Sequence, residues 1–234
     1  MKAPAFFRKN ALHLWLIFVF AILITVTGIC YRQSFLRILP LYISLIIGAL
    51  QAHVNRFASL LGGCNSVLYT AVYFYLGLYA SAASAFLFFV PLQFAAFFRW
   101  SKHKYKQATV FRTMSGRMRA AVLLLMAAAF GIVLYLLKRT GSAFPTLDAL
   151  ASLVGSTVPI LTMFAYIEYT WLMLPSGILN ICLNAATMTE HPAQITYLIY
   201  SVYSLICVTM QFFRAQKLYA EQNAEQIHKE ETKP

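Results

Sequence analysis

The chain has 234 residues, of which 60% are hydrophobic and only 11% are charged. A water-soluble domain of this size needs far more charge to cover its surface, so the composition excludes that class. The net charge of +12 does not indicate a nucleic-acid-binding protein, because most basic residues lie in loops or near chain ends beside apolar runs. We therefore expect a protein embedded in a lipid bilayer.

Eight apolar segments follow one another, most of them near the roughly 20 residues that a helix needs to cross a bilayer. We expect helices, since an apolar run in lipid must satisfy its own backbone hydrogen bonds. The predicted spans are Leu12–Cys30, Ile38–Ala52, Ser59–Gly77, Leu78–Phe98, Ala120–Leu137, Leu147–Ala165, Tyr169–Thr187 and Ile195–Phe213. Only Gly77-Leu78-Tyr79 separates the third from the fourth, which predicts a tight helical hairpin.

The first span follows a basic start and could also serve as a secretory signal. Its apolar core is about 18 residues long and no Ala-x-Ala cleavage site follows it, which favours an uncleaved span. The cysteines lie within or beside apolar runs and show no CxxC spacing, so they predict neither a disulfide framework nor a zinc site. They are Cys30, Cys64, Cys182 and Cys207.

The orientation follows from the distribution of Lys and Arg. The segment Arg99–Arg119 carries seven basic residues and no acid, which is typical of a cytoplasmic loop. Placing it inside also puts the basic start and the basic residues near the C-terminus inside, so both termini are expected in the cytoplasm. The polar tail after Tyr219 is expected to be disordered.

The sequence also predicts an internal repeat. An offset of 115 residues lays Gly62-x-x-Asn65 over Gly177-x-x-Asn180, and Phe97-Phe98-Arg99 over Phe212-Phe213-Arg214. The same register lays spans two to four over spans six to eight, with span five as an inverting linker. Such a parallel repeat is the plan of the SWEET sugar transporters. Chance similarity between apolar helices is the alternative.

Four amides lie at membrane depth, where lipid offers them no hydrogen-bond partner. They are Asn65, Gln93, Asn180 and Asn184. Because the repeat makes Asn65 and Asn180 equivalent, we expect this pair to face a central substrate site. Each amide could instead hold two helices together.

Aromatic residues offer a stacking surface for a planar ring. Tyr69 follows Asn65 on the third span, while Tyr197, Tyr200 and Tyr203 recur at three-residue spacing on the eighth. Packing and interfacial belts explain many such residues equally well. We interpret Trp100 as an interface anchor.

No Asp, Glu, Lys, Arg or His lies near the middle of any predicted span. Proton-coupled carriers generally place an ionisable relay there. No metalloprotease, nucleophile-elbow or phosphate-loop motif is present. We therefore expect no catalytic residue, cofactor or metal, and transport without proton coupling.

Taken together, these residues resemble the PnuC vitamin transporters. The first repeat is similar in Leu60-Leu61-Gly62-Gly63-Cys64-Asn65, Leu78-Tyr79-Ala80-Ser81, Gln93 and Trp100. The second is similar in Ala143-Phe144-Pro145, Asp148, Glu168, Asn180 and the helix Tyr197–Tyr203. The resemblance covers roughly residues 34 to 217.

The resemblance implies an all-α membrane bundle of three helices, a linker helix and three helices. It also implies facilitated diffusion of nicotinamide riboside, or in relatives thiamine, riboflavin or deoxynucleosides, trapped inside by phosphorylation. The family's Trp-x-x-Trp pair is reduced here to Trp171, which we expect near one wall of the site. A non-transporting sensor or partner subunit is the alternative from another class, and a homo-oligomer is left open.

We expect the protein to lie in the plasma (inner) membrane. Its parts are an extra first helix within 1–33, a transporter domain at 34–218 and a disordered tail at 219–234. Within the domain, the repeats are expected at about 36–100 and 147–215 and the linker helix at about 120–138.

Overall fold

The computed structural model describes residues 5–75, 85–106, 108–139 and 144–231. Within these ranges the protein is an all-α bundle with eight α-helices and one very short hairpin. The helices are α1 (Ala5–Cys30), α2 (Phe35–Ala52), α3 (Phe57–Tyr75), α4 (Val90–Lys102), α5 (Gly116–Arg139), α6 (Pro145–Met163), α7 (Tyr169–Glu190) and α8 (Ile195–Glu231). The strands β1 (Lys104–Tyr105) and β2 (Ala108–Thr109) pair antiparallel between α4 and α5. A π-turn at Ala85–Phe89 leads into α4, and a 3-10 turn at Pro192–Gln194 leads into α8.

Six of these helices are long and apolar enough to cross a membrane. They are α1, α2, α5, α6, α7 and α8, and each corresponds to a predicted span. The helices α3 and α4 correspond to the third and fourth predicted spans. The hairpin turn predicted at Gly77-Leu78-Tyr79 lies outside the described residues.

Prolines mark where several helices begin or bend. Pro145 opens α6, where its missing N–H costs nothing, and Asp148 in the same turn complements the positive end of the helix dipole. Pro40, Pro159 and Pro175 lie inside α2, α6 and α7. A proline removes one backbone hydrogen bond, which a membrane helix tolerates when neighbouring groups compensate.

Helices from the beginning and the end of the chain pack against each other. α2 packs against α3 and α8, α4 packs against α3 and α6, and α7 lies between α6 and α8. α1 packs on α2 and α8, whereas the described part of α5 packs mainly on α6 and has no buried residue. Two apolar clusters result. The first contains Val54, Trp100, Ala108, Phe111, Met114, Leu161, Ile167, Tyr169 and Ala215, and the second Ile24, Ile38, Leu41, Leu45, Ala52, Tyr203 and Cys207.

The C-terminal part of α8 corrects the prediction of a disordered tail. α8 has 37 residues, and a helix of that length extends roughly 55 Å, well beyond a hydrocarbon core of about 30 Å. The projecting end contacts the connection between α4 and α5. Tyr105 donates a hydrogen bond of 2.7 Å to Glu225, and Lys106 forms an ion pair with Glu221 that lowers the pKa of that carboxyl. The α4–α5 connection thus supplies partners to the helix as far as Glu225, and α8 continues to Glu231.

Candidate binding cavity

A cavity of about 210 Å³ lies between the helices that the repeat analysis assigned to the two halves. α2, α3 and α4 contribute to one wall, and α6, α7 and α8 to the other. Seven residues from Gln93 to Trp100 along α4 correspond to a depth of roughly 10 Å. The polar and aromatic side chains of the lining are Gln51, Asn55, Ser59, Phe89, Gln93, Trp100, Thr162, Tyr169 and Gln211.

Gln211 presents an unused acceptor in this lining. Its side chain is only 4% exposed, and its Nε2 donates a hydrogen bond of 3.0 Å to the Tyr169 hydroxyl. Its Oε1 is buried and has no hydrogen-bond partner among the described residues. A buried amide oxygen without a partner is costly, so a donor group on a bound molecule would be stabilised there.

Gln93 contributes an amide from the other half, and Gly62 makes room for it. A Cβ at Gly62 would lie 3.1 Å from both Cδ and Oε1 of Gln93. That distance is shorter than an ordinary van der Waals contact, so the missing side chain at position 62 lets α3 and α4 approach at the level of the cavity. Gly62 therefore helps to position the Gln93 amide.

Aromatic rings lie at the end of the cavity that faces the α4–α5 connection. Trp100 is 3% exposed, and its Nε1 donates a hydrogen bond of 2.8 Å to the Thr162 carbonyl, which joins α4 to α6. Its ring centroid lies 6.0 Å from that of Phe111, edge to face, and 6.3 Å from that of Tyr169. The interpretation of Trp100 as an interface anchor is wrong, since the residue is buried and lines the cavity.

The described residues that line the cavity include no Asp, Glu, Lys, Arg or His. Their hydrogen-bonding groups are amides, hydroxyls and one indole. An ionised group buried without a partner costs far more than a neutral polar group. The lining is therefore suited to a molecule with a planar ring and several neutral hydrogen-bonding groups, and unsuited to a free phosphate.

Of the predicted site amides, the structure places Gln93 in the cavity lining but not the others. Asn65 is 4% exposed, and its Nδ2 donates to the Pro40 carbonyl at 3.1 Å and to Ser44 Oγ at 2.8 Å. Asn180 is exposed and donates to the Ser176 carbonyl of its own helix. Neither Asn65 nor Asn180 lines this cavity.

Asn184 belongs to a different polar cluster at the far end of α7. Its Nδ2 donates to Ser201 Oγ at 2.8 Å, and its Oδ1 accepts from Gln194 Nε2 at 2.9 Å. These bonds join α7 to the start of α8. Asn184 therefore connects helices, and it is absent from the cavity lining.

The predicted aromatic site residues lie elsewhere. Trp171 is 61% exposed, and its ring packs edge to face on Phe212 at 4.8 Å, so it does not line this cavity. Tyr197 lies beside Arg37, and Tyr200 packs with the second apolar cluster beside Ser44. Tyr69 is partly exposed on α3 and is not a lining residue of the cavity.

Three lining residues were not predicted from the sequence: Gln51, Gln211 and Tyr169. Gln211 and Gln51 lie within two residues of the ends of the eighth and second predicted spans, so the criterion of an amide at membrane depth does not select them. Tyr169 follows Glu168 directly, where the family resemblance places aromatic residues. The structure shows that Tyr169, rather than Trp171, lines the cavity.

Comparison with known proteins decides the family. A sequence model of the family described as "Nicotinamide mononucleotide transporter" matches residues 34–213. The chain belongs to this family. The predicted resemblance to PnuC is confirmed, and with it the expectations of a multi-pass membrane protein and a non-enzyme.

A curated member of the PnuC group gives a second similarity. The nicotinamide riboside transporter PnuC of Neisseria mucosa is 30% identical over 167 residues. The alignment covers 65% of this chain, which spans 64% of the length of that relative.

A solved structure shows the same fold. The crystal structure of the vitamin B3 transporter PnuC superposes with a TM-score of 0.72 at 20% sequence identity. The match covers 94% of this chain and 99% of the other. The uncovered 6% of 234 residues is about 14 residues, fewer than the 26 of α1. The fold similarity to that structure therefore extends into the first helix, beyond the residues that the family model matches.

Proposed function

We propose that the protein carries a dephosphorylated vitamin-derived nucleoside, with nicotinamide riboside as the best candidate, across the inner membrane by facilitated diffusion. An intracellular kinase would then trap the substrate by phosphorylation. One observation carries the proposal: a chain of this family has a neutral cavity lined by three glutamine amides and by the rings of Trp100 and Tyr169. Amides can pair with a carboxamide and with ribose hydroxyls, and the rings can stack on a planar heterocycle.

The substrate is proposed without its phosphate for an electrostatic reason. The family description names a mononucleotide, whereas the curated relative is named for the riboside. A phosphate buried in the cavity would need cationic partners, and the described lining contains no Lys, Arg or His. This supports the riboside over the mononucleotide.

The helix contacts support a parallel repeat of three helices, a linker and three helices. A two-fold relation between α2–α4 and α6–α8 requires that, if α2 packs on α8, then α4 packs on α6. Both contacts are present. α5 then acts as the linker helix and α1 as an additional helix outside the repeats. Both termini are proposed to be cytoplasmic, following the Lys and Arg distribution.

Uptake into proteoliposomes tests this function. Radiolabelled nicotinamide riboside should equilibrate across the bilayer, whereas nicotinamide mononucleotide should not enter. Thiamine, riboflavin and a deoxynucleoside complete the panel, and preferential uptake of one of these would reassign the substrate within the same family. Binding of a panel member without any uptake would instead favour a non-transporting sensor or partner subunit.

A further inference from the structure

An apolar layer separates the cavity from the side of the molecule that carries the α4–α5 connection. We call residues 108–114 of that connection the gate segment. Phe111 and Met114 from this segment pack with Trp100 and Tyr169, and all four residues are less than 8% exposed. A substrate that leaves the cavity on this side would have to displace either the gate segment or the two rings.

The turn between α6 and α7 holds one edge of the gate segment. The backbone N–H of Arg112 donates to the Ala165 carbonyl at 2.9 Å, and the Ile167 N–H donates to the Arg112 carbonyl at 2.9 Å. The Met114 N–H donates to Glu168 Oε1 at 2.9 Å. This edge belongs to the second half of the molecule, close to the start of α7.

A glutamine of α8 bonds to the other edge. Gln222 lies on the part of α8 that projects beyond the apolar span, and it is 5% exposed. Its Oε1 accepts a hydrogen bond of 3.0 Å from the Phe111 N–H, and its Nε2 donates one of 2.9 Å to the Thr109 carbonyl. The Gln222 amide therefore bonds to the Phe111 N–H and to the Thr109 carbonyl as the backbone of a neighbouring strand would.

We propose that Gln222 is a positioning residue that holds the gate segment closed beneath Trp100. The inference rests on the proposed transport function, because a gate requires a substrate that passes it. Two exposed contacts, Lys106 with Glu221 and Tyr105 with Glu225, join α8 to the α4–α5 connection just before the gate segment. Exposed pairs of this kind contribute little, whereas both bonds of Gln222 are buried, and a buried hydrogen bond is costly to lose. Gln222 therefore supplies the buried hydrogen bonds that join α8 to the gate segment.

Labelling of a thiol behind the gate tests the proposal directly. The four native cysteines are replaced by alanine, and Ser59, which lines the cavity and is 8% exposed, becomes the reporter as Ser59→Cys. Protein in lipid nanodiscs is treated with a charged, membrane-impermeant methanethiosulfonate. Gln222→Met removes both hydrogen bonds and keeps the length of the side chain, so it should raise the labelling rate at least about tenfold.

Gln216→Met is the matched control. Gln216 lies on the same helix and bonds to Thr170 Oγ1 on α7 at 3.0 Å, so this variant loses a similar bond without releasing the gate segment. Its labelling rate should stay within about twofold of the parent. Gln222→Glu keeps the acceptor for Phe111 and loses the donor to Thr109, so its rate should lie between those of the parent and Gln222→Met. If Gln222→Met does not fold, the labelling rate of Gln222→Glu is used to test the proposal, and an unchanged rate overturns it.

The labelling needs no substrate and is therefore independent of the uptake assay. An unchanged rate in a folded Gln222→Met variant overturns the gate, even if nicotinamide riboside is transported normally. An equal increase in Gln216→Met also overturns it, because the effect would then be general loosening of α8. A raised rate in Gln222→Met alone, together with absent uptake of every vitamin tested, supports the gate and contradicts the transport function.

Discussion

Substitution of Gln211 is the sharpest test of the cavity. Gln211→Met keeps an unbranched side chain of similar length, so the space beside Tyr169 stays filled. The change removes the buried Oε1 that lacks a partner and also the 3.0 Å hydrogen bond to the Tyr169 hydroxyl. The loss of Oε1 affects only ligand binding, because no described residue forms a hydrogen bond to that oxygen.

The expected effect follows from burial. A hydrogen bond to a group that is 4% exposed is worth about 1–3 kcal/mol, since water cannot replace it. That range corresponds to an increase of roughly 5- to 150-fold in the Kd for nicotinamide riboside. Tyr169→Phe leaves Oε1 in place and removes only the hydroxyl that orients the amide, so its effect should have the same direction and be smaller.

Isothermal titration calorimetry on detergent-purified variants measures both changes. Only variants that elute as a single monodisperse peak are compared, and Gln216→Met serves as the control because Gln216 bonds to Thr170 outside the cavity. We expect the control to bind as the parent does. Equal affinity of Gln211→Met and the parent would show that the substrate site is not this cavity.

Asn65→Leu should lower the thermal midpoint in a melting assay, because it breaks two buried hydrogen bonds, whereas Asn180→Leu should change neither the midpoint nor the affinity measurably. A loss of affinity in Asn180→Leu would show that Asn180 belongs to the substrate site. Reporter fusions at Gly141 and Glu190 should give an external signal and a fusion at Gln107 an internal one; a cytoplasmic signal at Gly141 would reverse the topology. Counterflow of nicotinamide riboside should persist after a protonophore collapses the proton gradient, and gradient-driven accumulation of free substrate would contradict facilitated diffusion.

The gross architecture was readable from the sequence because it depends on local properties. Apolar runs of the length of a bilayer must be helical, so the predicted spans match the helices of the described residues. Gln93 was predicted for the same reason, because its amide lies inside such a run. The tail was not predicted correctly, since polarity alone does not reveal that Gln222 has backbone partners more than a hundred residues earlier.

The positions of the remaining site residues depended on helix rotation. Asn65 and Asn180 are equivalent in the sequence register, yet Asn65 bonds to α2 and Asn180 faces outward from α7. A difference of one residue turns a side chain by about 100° around a helix, so spacing along the chain does not decide which face meets the cavity. Trp171 and Tyr169 show the same effect, two residues apart on α7, one exposed and the other buried.

The sequence by itself thus determined the membrane setting, the helix content and the family, because each depends on composition and order along the chain. The tertiary structure alone decided which amides line the cavity, that Trp100 and Tyr169 close one end of it, and that α8 returns to hold the α4–α5 connection. These features arise from contacts between residues far apart in the chain. Such contacts depend on how the helices pack and rotate against one another, which a single sequence does not record.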